Sequence, residues 1–191
     1  MFIQTEATPN PATLKFIPGV VVVPEGTVDY RASSEAEGNS PLAERLFAID
    51  GVSGVFFGYD FVTITKDESG GEWQHLKPAV LGAIMEHFTS GRPVMADAAP
   101  ATDDDGEEFF DESDGEIVAT IKELLETRVR TAVARDGGDI TFRGFRDGVV
   151  FLHMRGACAG CPSSTATLKH GIQNLLRHFI PEVEEVEAIA A

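Results

Sequence analysis

"DITFRGFRDGVVFLHMRGACAGCPSSTATLKHGI", residues 139–172, decides how the second half of this chain folds. Its opening part, to Met154, has the pattern of two short strands. Asp147–Gly148 divides them with a pair that suits a two-residue hairpin turn. The pattern then gives way to "GACAG", built only of glycine, alanine and cysteine. Pro162 stands where the first position of a helix would be, with Ser163 and Ser164 suited to its first turn. Leu168, Ile172, Leu175, Leu176 and Phe179 line one face of that helix. Upstream, "GEIVATIKELLETRVRTAVARDGG" (115–138) reads as an amphipathic helix, with Ile117, Ile121, Leu124, Leu125 and Val133 near one face and Gly137–Gly138 as its stop. Downstream, Pro181 ends the second helix and "EVEEVEAI" (182–189) alternates as a final strand. The order helix, strand, strand, helix, strand makes an α+β unit of about 75 residues, small but within the range that folds alone.

The first half reads as a second small α+β unit. "FIQTEAT" (2–8) alternates as a strand, Pro9 and Pro11 set a turn, and a second strand runs around Leu14–Ile17. A polar loop containing Ser33, Ser34, Gly38 and Asn39 follows. Ser40 then caps a helix with Pro41 at its first position and Leu42, Leu46 and Ile49 on its apolar face. "GVFFGYDFVTITK" (54–66) is one long strand or two short ones. "HLKPAVLGAIMEHFTSG" (75–91) is a helix closed by Gly91; Pro78 lies inside its pattern, which makes Lys77–Pro78 the alternative start. His75 and His87 have no paired carboxylate at ligand spacing and read as surface histidines. Trp73 reads as a packing or rim residue.

Charge separates the halves. The chain carries a net −16, but residues 92–115, "RPVMADAAPATDDDGEEFFDESDG", hold −8 of it, against −7 for residues 1–91 and −1 for residues 116–191. A segment so charged and so poor in apolar periodicity cannot offset its ordering entropy by burial. It is expected to be a flexible tether between domains spanning 1–91 and 116–191. An acidic docking tail anchored by Phe109 and Phe110 is the other reading. The acidity also argues against nucleic acid as a partner, which calls for a basic stripe. No run approaches the ~20 apolar residues of a membrane span, so no membrane association is expected. "MFIQTEATPNP" (1–11) has neither the basic and apolar regions of a secretory signal nor an arginine-rich transit composition. The expected compartment is the cytoplasm, with the mitochondrial matrix as the alternative for a processed chain.

The only two cysteines, Cys158 and Cys161, fall in the loop between strand and helix. In a reducing compartment this spacing points to metal binding or redox chemistry rather than to a structural staple. Helix-end amides and the helix dipole favour the thiolate there, and small neighbours (Gly156, Ala157, Ala159, Gly160) let another molecule come close. A thioredoxin-like thiol–disulfide pair fits the helix start, although that motif belongs beside a βαβ pattern and here an antiparallel hairpin leads into the loop. A zinc or iron–sulfur site needs four ligands, and the chain has two thiols. His153, the nearest histidine, reads as a core or surface residue. A second copy could bring the other two thiolates in a twofold site. Soft thiolates accept iron and zinc alike, so the spacing leaves the metal open. A site shared between subunits near solvent releases its contents easily, which suits a carrier better than a catalyst.

"RDGGDITF" (135–142) and "GACAGCPSSTATLKHGI" (156–172) resemble the NifU C-terminal domain family of iron–sulfur scaffold and carrier proteins. "MFIQTEATPNPATLKFIPG" (1–19) and "SPLAERLFAIDGVSGVFFGYDFVTITK" (40–66) resemble the Nfu N-terminal domain. The resemblance implies a non-enzymatic scaffold or carrier. Cys158 and Cys161 would ligate a 4Fe–4S cluster bridged between the subunits of a homodimer, with 2Fe–2S or other occupancy possible. It implies delivery to apo iron–sulfur proteins, and a first domain that recognises clients or the upstream assembly machinery.

Overall fold

The computed structural model describes residues 1–96 and 107–189 and divides into two compact units, Met1–Asp103 and Asp104–Ala191. In the first unit five strands form one antiparallel sheet: β1 (Gln4–Ala7), β2 (Thr13–Ile17), β3 (Val28–Tyr30), β4 (Val52–Phe57) and β5 (Val62–Lys66), in the order β1-β2-β5-β4-β3. "GVFFGYDFVTITK" is thus two strands of one hairpin, closed where the Gly58 amide donates to the Phe61 carbonyl at 3.0 Å. The stretch read as a polar loop holds a short helix, α1 (Ser33–Ala36), which buries Ala36.

Ser40 caps α2 (Pro41–Phe47) as its sequence suggests, its Oγ accepting from the Ala43 amide at 3.1 Å. Helix α3 (Trp73–Thr89) starts ahead of the expected boundary and runs through Pro78, which cannot donate to the carbonyl four residues back. Its start is held by Trp73, whose Nε1 donates to the Pro11 carbonyl at 3.1 Å. Alternate residues of the strands (Phe16, Val55, Phe57, Val62, Ile64) meet Leu42, Leu46, Val80 and Ile84 of the helices in one core.

His75 is exposed, but His87 is buried, so the surface reading fails for it. It lies on the core side of α3 because Val80, Ile84 and His87 share the helical period. Its Nε2 donates to the Pro93 carbonyl at 3.1 Å. Residues 93–96 pack back on this unit: Ser40 Oγ donates to the Val94 carbonyl, and the Ala96 amide to the Asn39 carbonyl. Residues 97–106 of the acidic stretch, with Pro100 and the aspartates at 103–105, lie outside the described residues.

The second unit follows the order expected for it. Its first helix is not uniform: α4 (Gly115–Leu124) passes through a π-turn, Leu125–Val129, into α5 (Arg130–Arg135). The wider turn lets Leu124, Leu125, Val129 and Val133 all reach the core. Strands β6 (Gly138–Arg146) and β7 (Val149–Gly156) form the hairpin, with Asp147 (φ 50°) and Gly148 (φ 78°) both left-handed as a two-residue turn of this kind requires. Helix α6 (Pro162–Phe179) carries the chain back, so that β8 (Glu185–Ile189) pairs parallel to β7 and the sheet order is β6-β7-β8. Ile172 and Leu176 of α6 are buried and Leu168 and Leu175 partly so. Phe179, in its last turn, instead lies 46% exposed under the Arg128 guanidinium.

Candidate functional site

The cysteine loop spans the gap between β7 and α6. Gly156 (φ 61°) and Gly160 (φ 81°) bend it at both ends in the left-handed region that glycine adopts without strain. The Ala157 amide donates to the Gly137 carbonyl at 3.2 Å, tying the loop beneath the start of β6. Cys161 occupies the N-cap of α6 and Pro162 its first position. Thr165 fastens the other side: its Oγ1 donates to the Cys158 carbonyl at 3.0 Å and its amide to the Cys161 carbonyl at 2.9 Å.

The two thiols are not equivalent. Cys158 is 6% exposed and belongs to the core of the second unit. A Cβ placed on Gly138 would lie 2.6 Å from its Sγ, so the missing side chain of Gly138 is what makes room for the sulfur. Burial, reinforced by the Asp136 and Asp139 carboxylates, pushes the Cys158 thiol up to about 12. Cys161 is only half-buried at the helix start, 3.4 Å from Ser163 Oγ. Hydrogen bonding by Ser163, then Ser164, draws its thiol down to about 7. The expectation that the helix start favours thiolate therefore suits Cys161. It fails for Cys158 because desolvation inside the core outweighs the nearby helix end.

Arg130 grips Asp139 with two hydrogen bonds, Nε to Oδ1 at 2.9 Å and Nη2 to Oδ2 at 2.8 Å, and Asp139 Oδ1 also accepts from the Ile140 amide at 2.9 Å. This bidentate pair holds the β6 residue next to Gly138, and the carboxylate keeps Arg130 firmly charged. His153 is buried in β7 opposite Thr141. Among the described residues no three His, Cys, Asp or Glu side chains converge to hold a metal ion. Cys161 also opens on a groove lined by Pro162, Thr165, Ala166, Lys169 and Glu187, the last two bridged at 3.0 Å.

Sequence reasoning found both cysteines and the loop glycines but missed Gly138, Thr165 and the Arg130–Asp139 pair. Gly138 left one trace: a single glycine suffices to stop a helix, and the sequence has two. The objection to a redox motif also loses its footing, since β7, α6 and β8 make a βαβ unit around the loop.

Two family models match the chain: one described as the scaffold protein Nfu/NifU N terminal, over residues 3–91, and one described as the NifU-like domain, over residues 121–187. Curated relatives named "NFU1 iron-sulfur cluster scaffold homolog, mitochondrial" include one from Drosophila erecta, 54% identical over 190 residues, 99% of this chain and 65% of that protein. The relative of that name from Homo sapiens is 50% identical over 189 residues, 99% of this chain and 72% of that protein. The chain thus spans about two thirds of the length of the curated relatives it matches. Among solved structures, a NifU-like protein from Saccharomyces cerevisiae matches with 26% identity and a TM-score of 0.45, over 51% of this chain and 86% of that one.

Proposed function

The chain belongs to the Nfu/NifU family of iron–sulfur cluster scaffold proteins, and on that premise we propose that two copies hold one 4Fe–4S cluster as cargo between their cysteine loops. One observation carries the reading: a glycine-hinged loop places two soft thiols at a helix start, one of them only half-buried. Each copy supplies Cys158 and Cys161, so a twofold pair supplies the four thiolates that a cubane takes. Cys161 engages first, being the less buried of the two and easily ionised. Cys158 follows when the loop swings its sulfur away from Gly138. The two helix N-termini then face the negative charge of the thiolate-bound cluster. The rigid β6–β7 hairpin and the Thr165 tie return the loop to its tucked state when the cluster leaves. A buried, protonated resting position for Cys158 thus favours release to an acceptor.

The recipients in this reading are apo iron–sulfur proteins. The first unit recognises them or the upstream assembly machinery, while the second carries the cluster without catalysing a reaction. The compartment is a reducing one; relatives named mitochondrial favour the matrix-type setting over the cytoplasm first expected.

Anaerobic reconstitution with iron and sulfide, followed by absorption and sedimentation, tests the proposal. A broad visible band with iron and sulfide at four each per dimer is expected. A cluster-bound monomer or a permanent dimer without iron would remove the link between cargo and association. Thiol–disulfide exchange is the second reading, favoured by the βαβ surroundings and by the lowered Cys161 thiol. A colourless monomer that reduces disulfides would install it instead.

A further inference from the structure

The end of the acidic stretch does not behave as a tether. Phe109 forms an isolated parallel bridge with Gly144 on the outer edge of β6. Its amide donates to the Arg143 carbonyl at 3.1 Å, and its carbonyl accepts from the Phe145 amide at 2.9 Å. The ring lies over Gly144, where a Cβ would come within 2.4 Å of a ring carbon. Across the hairpin from Gly144 stands Phe151, whose ring centroid is 5.1 Å from that of Phe109. The Arg146 guanidinium sits 5.3 Å from the Phe109 ring centroid, and Glu108 is ion-paired with Lys122. A bare glycine, a stacking ring and two cations make a seat shaped for an extended acidic segment with a phenylalanine.

From this seat we infer that the outer edge of β6 is a docking edge for an extended acidic, phenylalanine-bearing segment of a partner protein, kept closed in the resting chain by residues 107–111. Strand addition to a sheet edge draws affinity from main-chain hydrogen bonds and specificity from side-chain pockets. The resident segment uses the edge sparingly, with one bridge, Phe109 half-buried and Phe110 40% exposed. Beside Glu108 a groove continues along β6, lined by Lys122, Leu125, Ile140 and Thr141. The buried Thr141 Oγ1 meets no hydrogen-bond partner among the described residues. The π-turn forms one wall of the groove through Leu125 and Glu126, and such turns recur at functional positions. A partner segment that filled this groove as well as the seat would make contacts the resident one leaves unmade, which is the basis for displacement.

The test uses a fluorescent peptide of residues 107–113, EEFFDES, titrated into the full chain. Phe109→Ala vacates the seat and should bind the peptide at least about tenfold more tightly than the wild-type chain, whose tethered segment competes at an effective concentration of about millimolar. Adding Gly144→Ala to that variant should abolish binding, because the new methyl fills the seat. Hydrogen exchange at the Phe145 amide should be slow in the wild type, fast in Phe109→Ala and slow again with peptide. Phe109→Leu, which keeps apolar cover over Gly144, should give the same order with smaller amplitude should the alanine variant fail to fold. Equal binding to the wild type and the variants would overturn the closed resting edge. Absence of binding to the vacated chain, or binding that survives Gly144→Ala, would overturn the docking edge itself.

Discussion

The two units are built from similar parts and spend them differently. The first lays a five-stranded sheet against helices and fills the space with Phe16, Phe57, Leu42, Leu46 and Ile64, all fully buried. The second has three strands, and its core reaches the cysteine loop, where Cys158 is both a packed side chain and a proposed ligand. In the second unit stability and the proposed chemistry share a residue, Cys158. In the proposed reading, a ligand that must leave the core to bind is easily reclaimed by the core, which suits cargo meant to be passed on.

The sharpest break between the units is expected from the cysteines. In the proposed twofold pair, Cys158→Ala or Cys161→Ala removes two of the four thiolates, so bound iron after reconstitution should fall to background while far-UV circular dichroism keeps its shape. Iron retained at wild-type stoichiometry would end the four-thiolate reading. The converse is Phe57→Ala in the first unit. Emptying a fully buried aromatic site should cost about 3–5 kcal/mol in denaturant unfolding. Iron uptake by the second unit should be unchanged under conditions where the variant remains folded; a parallel loss would show that the units do not act separately.

Gly138→Ala tests whether core and site truly share a boundary. The added methyl would meet the Cys158 sulfur and the Arg155 carbonyl at 2.6 Å, a strain of about 1–3 kcal/mol. Thermal unfolding should report that loss, and alkylation of Cys158 should speed up as the sulfur is pushed out. An unchanged alkylation rate would mean that the loop yields elsewhere.

Smaller effects follow from titration. In the iron-free chain, alkylation of Cys161 should rise with pH through a midpoint near 7, because the thiolate is the nucleophile, while Cys158 stays protonated and unreactive at neutral pH. Ser163→Ala should move the Cys161 midpoint upward; two thiols titrating together would erase the asymmetry. In the first unit, burial holds His87 below the ordinary histidine range, so its unfolded form binds the proton more readily. Its contribution is complete above the unfolded value of about 6.5 and is lost as pH falls below it. His87→Gln should flatten that part of the stability–pH curve, and an unchanged slope would assign the loss to other groups.

What could be read in the sequence was whatever short-range physics fixes. The Ser40–Pro41 helix start, the Asp147–Gly148 turn, the order of elements in the second unit and the position of Cys158 and Cys161 at a helix start depend on residues a few positions apart. Only the tertiary structure decided which cysteine is buried, because Gly138, which makes room for its sulfur, stands twenty positions upstream at the start of β6. It likewise split the long helix with a π-turn that periodicity averages away. Phe109 is the clearest case. Composition placed it in a charged tether, but a glycine on β6 and a ring on β7 give it a seat, and no local pattern records a vacancy formed by two other strands.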